Sequence, residues 1–284
     1  MKKRLFCHQG LFVGVLFVAL GCGAVALGRS RDGISPASQA ARTQKRMAPT
    51  KPTIEPEVAM PFHIGEKLDY RVMWTSFSNA ATVELSVPER RDLFGWRVWH
   101  FQATVHTAHS VRTLFPIDDQ FDSYTDVSSL ECRQFEMYLN ELGKRITTVL
   151  HLVPSGQRAH IPGPAVMVLP GTRDPLAMLF TLRGTDWKHQ PEVHVPVYDG
   201  HNLYDVLAHL EASDDSVEVD AGNFSASRVS VRVFQDGQEN SDIRFTIWFA
   251  NTAAHTPVQF VAELPFGSLR VGLTGLKNGD ADER

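Results

Sequence analysis

Cysteine is scarce in this chain, and so are the short signatures on which common enzymes rely. The 284 residues hold three cysteines, Cys7, Cys22 and Cys132. Cys7 falls in the N-terminal leader, and once Cys22 is removed or acylated Cys132 has no partner within the chain, so no intrachain disulfide frames the fold. A lone cysteine in a strand reads as a small buried apolar residue. Neither Cys-x-x-Cys nor His-Glu-x-x-His occurs, which leaves a zinc site without support. Gly-x-Ser-x-Gly, Gly-x-Gly-x-x-Gly and the P-loop are also missing, and with them the commonest serine hydrolase, dinucleotide and nucleotide sites. An excess of positive charge is lacking too: 28 basic side chains face 32 acidic ones for a formal charge of −4. Loss of Lys2, Lys3 and Arg4 with the leader makes the balance more acidic still. A field of that sign repels a phosphate backbone and excludes nucleic acid as a partner. The reading is therefore of a protein with no cofactor and no metal.

What is present begins with an export signal. Met1 to Arg4 is a positively charged start, and Leu11 to Leu20 is an apolar stretch of signal-peptide length. Its end supports three fates. Ala19-Leu20-Gly21-Cys22 resembles a lipobox, which would make Cys22 the lipidation site, although Ala19 and Leu20 depart from the usual order of a large then a small residue. Ala24-Val25-Ala26 fits ordinary signal-peptidase cleavage. Left uncut, the run from about Leu11 to Leu27 is at the short limit for spanning a bilayer. Each fate puts the remainder outside the cytoplasm, in the cell envelope or periplasm and associated with a membrane through the N-terminus. Residues 1–28 are thus read as signal peptide or anchor. Residues 29–58, rich in Pro, Ser, Thr, Ala and charge with no apolar period, are read as a flexible tether.

From Phe62 the pattern changes to short alternating runs. In Leu68 to Trp74 the even positions are apolar, the period of a half-buried strand, and Val83, Leu85 and Val87 repeat it. Trp96 to Val105 carries large apolar groups on both faces, which suits a strand covered on both sides. Further runs are Phe135 to Leu139, Ile146 to Val153, Val193 to Val197, Phe224 to Val233, Ile243 to Phe249, Val258 to Leu264 and Leu269 to Leu273. Asp236-Gly237 is a hairpin turn. Leu203 to Leu210 fits either period; the turn signal Asp199-Gly200 before it and the acidic loop expected at Ser213 to Ser216 after it favour a strand. One stretch breaks the β pattern: Asp174 as a cap and Pro175 in the first turn predict a short helix to Arg183, with Leu176, Leu179 and Phe180 on the face laid against the sheet. The expectation is a mainly β domain over residues 59–276, about eleven strands in a large curved antiparallel sheet or a partly open barrel or sandwich, followed by a disordered tail over 277–284.

Four stretches, in order, resemble a family of exported bacterial proteins known as domain-of-unknown-function family 3108: Pro61 to Trp74, Phe115 to Tyr124, Asp174 to Arg183, and Ile247-Trp248-Phe249 leading into His255-Thr256-Pro257. The resemblance spans most of residues 60–276 and implies an all-β, envelope-located protein without an assigned activity. Two departures stand out. Ser78 to Ala81 occupies the place where the family turns at a glycine, and Asn251 stands near a common aspartate, so no role of that aspartate is carried over.

Among chemistry-bearing residues, Asp118, Asp119 and Asp122, with Asp126 beyond, form the densest cluster, but it lacks the glycine and spacing of a calcium loop. On a strand, Asp118, Gln120, Asp122, Tyr124 and Asp126 share one face, and a solvated face is the plain reading. His106 and His109 point to opposite sides of a strand, and His189 with His194 has no metal motif behind it. Asp174 and Arg183 bracket the helix; Arg183 is either a dipole-friendly terminus or a cation offered to an acidic ligand group. Trp74, Trp99, Phe101 and Trp248 are the aromatic candidates for lining an apolar cavity. The function expected is non-enzymatic: a curved sheet that binds an apolar small molecule, such as an acyl chain, or an envelope protein. Two rivals are an envelope hydrolase using the aspartates with a histidine such as His106, and an assembly factor that adds a strand to its partner.

Overall fold

The computed structural model describes residues 59–75, 77–156, 161–264 and 267–277. The leader, Cys22, the whole tether and nearly all of the tail therefore lie outside the described residues. Alternation builds the strands: Leu68, Tyr70 and Val72 all turn inward and are buried. In chain order the elements are β1 (Lys67–Trp74), β2 (Phe77–Leu93), β3 (Trp96–Thr107), the single-turn α1 (His109–Arg112), β4 (Asp118–Asp126), β5 (Cys132–Glu141), β6 (Lys144–Pro154), β7 (Ala165–Val168), α2 (Pro175–Arg183), β8 (Glu192–Tyr198), β9 (Leu203–Val219), β10 (Gly222–Gln235), β11 (Gln238–Ala250), β12 (Pro257–Leu264) and β13 (Gly267–Lys277).

All thirteen strands form one sheet in the order β7-β6-β5-β4-β3-β2-β1-β13-β12-β11-β10-β9-β8, antiparallel throughout except for the parallel β6–β7 pair. The chain is a meander that winds out from β1 in one direction and returns from the other edge to close against β1 through β13. Three hairpins turn on two residues with positive φ, Phe94-Gly95, Leu142-Gly143 and Asp236-Gly237, the backbone twist that suits antiparallel strands. The sheet curls into a nearly closed, barrel-like shape. Across the closing gap, Gly200 in the β8–β9 turn comes so near β5 and β6 that a Cβ there would lie 2.9 Å from Met137 Cε and 3.2 Å from Leu150 Cδ1. The free edge of β8 is fastened at one end by Arg173, whose N–H donates to the Pro196 carbonyl while its own carbonyl accepts from Tyr198 N–H.

The interior is filled by α2. Of its nine residues all but Thr181 are buried, the behaviour of a helix that is apolar on every side. The sequence reading of a helix laid on the sheet by one face is corrected accordingly: the sheet wraps around it. Asp174 caps its start, Oδ1 accepting from Leu176 N–H at 2.8 Å and Ala177 N–H at 2.9 Å while Oδ2 accepts from Ser123 Oγ of β4 at 2.5 Å. In the middle, Phe180 stacks on Phe101 of β3 with ring centroids 3.7 Å apart, and Phe62 meets both rings edge-on. At its end, Arg183 is 1% exposed and grips Glu66, 2% exposed, through two parallel hydrogen bonds of 2.5 and 3.0 Å.

Two further expectations change. The acidic stretch Ser213 to Ser216 is strand, part of β9, with Ser213 and Asp214 bulged between the pairs Arg228–Ala212 and Ala226–Asp215. β7 escapes sequence reading because four residues behind Pro162 and Pro164 are too few to show a period. The strand reading of Leu203 to Leu210 holds, as do the helix cap and the hairpin at Asp236-Gly237.

The Arg183–Glu66 pair sets the first prediction. Arg183→Met alone strands a buried carboxylate and should lower unfolding free energy by about 3–5 kcal/mol. Adding Glu66→Met should recover most of that loss. Urea unfolding followed by tryptophan fluorescence distinguishes the two; equal losses in single and double variants would show that the pair is not what holds the helix end.

Candidate functional site

The sheet register brings together side chains that are distant in sequence. On the outer face of β3 and β4, Gln102 stands opposite Asp122, His100 opposite Tyr124 and His106 opposite Asp118. Asp122, nearly buried, accepts from Gln102 Nε2 at 2.8 Å and Gln120 Nε2 at 2.6 Å, and lies 2.6 Å from His100 Nε2. Burial raises the cost of its charge, but the hydrogen bonds from His100, Gln120 and Gln102 outweigh that cost and hold the carboxyl below its ordinary pKa. His100 stacks on Tyr124 at 4.6 Å, and its Nδ1 is 3.9 Å from Glu89 Oε1. A second pair, His106 with Asp118 at 2.9 Å, is more exposed, and Arg112 forks onto the same carboxylate and holds its pKa down at about 2.

The solvated-face reading of the aspartates thus holds for Asp118 and fails for Asp122, which is covered by its neighbours. Asp119 points the other way. It is 1% exposed, accepts Asn140 N–H at 2.7 Å through Oδ1, and is pushed up to about 7 by burial. The three aspartates do not converge on one point. Ser123, next to Asp122 in β4, is not turned toward the His100–Asp122 pair: it points to the opposite face, where its hydroxyl donates to Asp174. Among the described residues no group of three or more His, Cys, Asp or Glu side chains is arranged to hold a metal ion.

The aromatic candidates separate as well. Trp99 and Phe101 are buried against Phe62 and α2, and Arg90 lies over the Trp99 ring at 3.5 Å. Arg183 is spent on Glu66 and on the carbonyls of Ala254 and Pro61. Trp74 stacks on Phe77 beside Gly267 at the start of β13, and Trp248 donates its indole N–H to Asp215 at 3.0 Å. Cys132 is buried next to the Asp174 cap, and burial pushes its thiol well above the usual range.

A feature the sequence did not show is a cleft of about 810 Å³ beyond the end of α2, with Trp187, Leu210 and Phe249 at its floor and Lys188, Asn251 and His255 at its rim. Trp187 packs on Phe249 at 6.3 Å and donates its indole N–H to the Leu182 carbonyl. Its lining comes from four separate parts of the chain, so no periodicity could announce it; Trp187 and the His255-Thr256-Pro257 stretch are the nearest to a signal.

Comparison with known proteins follows the fold. The model of a family described as protein of unknown function (DUF3108) matches residues 69–274, and the chain belongs to that family. A crystal structure of a β-barrel-like protein of domain of unknown function DUF1849 from Brucella abortus is similar over 76% of this chain and 98% of its own, with a TM-score of 0.50 and 13% identity. An export candidate of YmcC-like fold from Bacteroides fragilis and a candidate lipoprotein from Parabacteroides distasonis each cover 77% of this chain, and 98% and 97% of their own, at TM-score 0.35 and 10% and 11% identity. The likeness to the Brucella abortus protein is of fold alone. No curated protein matches the chain. Among the described residues no helix is long and apolar enough to cross a membrane.

Asp119 gives a pH prediction with a definite sign. Its folded pKa of about 7 lies above the ordinary 3.8, so the folded state keeps a proton that the unfolded chain releases. Its contribution is therefore most favourable at low pH and is lost as pH rises toward and through 7. Asp119→Asn, which keeps an acceptor for Asn140 N–H, should be more stable than the parent at pH 8 and gain nothing at pH 4. Urea unfolding of both proteins across that range checks it; a pH-independent difference would show that Asp119 is charged in the fold.

Proposed function

We propose that this member of the DUF3108 family is a non-enzymatic protein of the bacterial cell envelope, held to a membrane by its N-terminus, that engages a partner protein through the outside of its barrel. One observation carries the choice of the outside: α2 occupies the interior where an acyl chain would have to lie, with Phe180 stacked on Phe101 at 3.7 Å. An apolar ligand large enough to matter would have to displace that helix and break the Arg183–Glu66 pair. The charged leader and apolar stretch of the sequence support export, and the tether supports display of the barrel away from a surface. Against a serine or cysteine hydrolase stands the placement of Ser123 and Cys132, which both sit by Asp174 inside the sheet rather than beside His100 and Asp122 on its outer face.

The reading makes two expectations of the full-length protein. Titration with a fluorescent polyene fatty acid should give no saturable one-to-one binding. A photoreactive residue introduced in turn at exposed positions around the barrel should yield a discrete adduct in cells from one contiguous set of positions. Saturable fatty-acid binding that is lost on Phe180→Trp would overturn the reading in favour of an interior ligand.

A further inference from the structure

The β6 strand has a partner strand on both sides only at His151. It pairs with β5 from Glu141–Lys144 to Gln134–His151, and β7 covers only His151 to Pro154. The register determines which groups this leaves outward. A two-residue turn at Leu142-Gly143 makes Glu141 and Lys144 a hydrogen-bonded pair, so Ile146, Thr148 and Leu150 bond to β5 while the N–H and C=O of Arg145, Thr147 and Val149 point away from it. Among the described residues no backbone group bonds to those three.

This edge has few of the devices that protect free strands. It contains no proline or bulge between Lys144 and Leu150, and it shows water Ile146 at 53% and Val149 at 45% exposure. The run Ile146-Thr147-Thr148-Val149 is strongly β-forming. At its start Lys144 and Arg145 are exposed, and no acidic residue occurs from Leu142 to Pro154. Opposite Arg145 the register puts Asn140; opposite Lys144 it puts the half-buried Glu141, whose carboxyl burial holds above its usual pKa.

We infer that the Lys144–Leu150 edge of β6 is the docking site for an extended segment of a partner protein, added as a further strand, with acidic residues facing Lys144 and Arg145 and β-branched residues facing Thr147 and Val149. Backbone bonds supply the affinity, and the charge at one end fixes the register. The inference rests on the reading that the barrel acts through its exterior, and it adds where and by what chemistry.

The test uses the full-length protein and a synthetic seven-residue peptide that alternates valine with threonine and carries two glutamates at one end. Amide hydrogen exchange followed by NMR should show Arg145, Thr147 and Val149 exchanging fast in the free protein. The peptide should slow them roughly tenfold or more while Ile146 and Thr148 stay protected throughout. Thr147→Pro removes only an outward N–H, so it should keep the fold and abolish the slowing. Arg145→Glu leaves the backbone intact and should shift the preference from glutamate to lysine peptides by about threefold or more. The inference is overturned if the three amides are already slow in dilute free protein, if they slow with protein concentration alone, which would make a second copy the occupant, or if peptide binding ignores both variants. Failure here together with in-cell adducts elsewhere on the barrel would leave the exterior reading standing; saturable fatty-acid binding would remove that reading itself.

Discussion

A guanidinium and a carboxylate, both shut away from water, hold this barrel around its helix. Arg183 and Glu66 are a poor way to gain stability, because desolvating two charges costs about what their attraction returns. They are an effective way to fix position. Arg183 also donates to the carbonyls of Ala254 and Pro61, and its own carbonyl accepts from His255 Nδ1 at 3.1 Å. The end of α2 is thereby tied to the segment before β1 and to the β11–β12 loop at once. Any shift of the helix would leave a buried charge without its partner, so the sheet closes on one arrangement.

The other end repeats the logic with a cap. Asp174 satisfies two N–H groups at the helix start and takes the Ser123 hydroxyl from β4. The four stretches that carry the family resemblance are thus the ones that α2 gathers: Pro61 and Glu66 from the first, Ser123 from the second, the helix itself, and the loop leading to His255 from the last. What marks the family in sequence is the machinery that seats the plug. That explains why the resemblance identifies the fold while saying little about chemistry, and why a binding role falls to surfaces that those motifs do not include.

The candidate site was legible only in fragments. The aspartate spacing along β4 correctly placed Asp118 and Asp122 on one face, but pairing Asp122 with His100 depends on which residues of β3 lie opposite, and register across a hairpin with α1 in its loop is not written in either strand alone. His106 was the natural histidine to choose from the sequence and does meet an aspartate, though the exposed Asp118. The aromatics misdirected for a related reason. Trp99 and Phe101 have the composition of a cavity wall, and the distinction between wall and core depends on whether something fills the space; Phe180, about eighty residues further on, fills it.

The sequence by itself determined most of the strands, the turn at Asp236-Gly237, the capped helix and the family, because these depend on period-two alternation, on backbone preferences of single residues and on groups within a few positions of one another. Only the tertiary structure decided that the helix goes inside the sheet, that Arg183 is satisfied by Glu66 rather than offered to a ligand, and that the outer edge of β6 from Lys144 to Leu150 has no partner strand among the described residues. Each of those outcomes depends on the closure of a thirteen-strand sheet, in which the contacts that matter join residues more than a hundred positions apart, such as Glu66 and Arg183, and no local pattern encodes what lies across a gap.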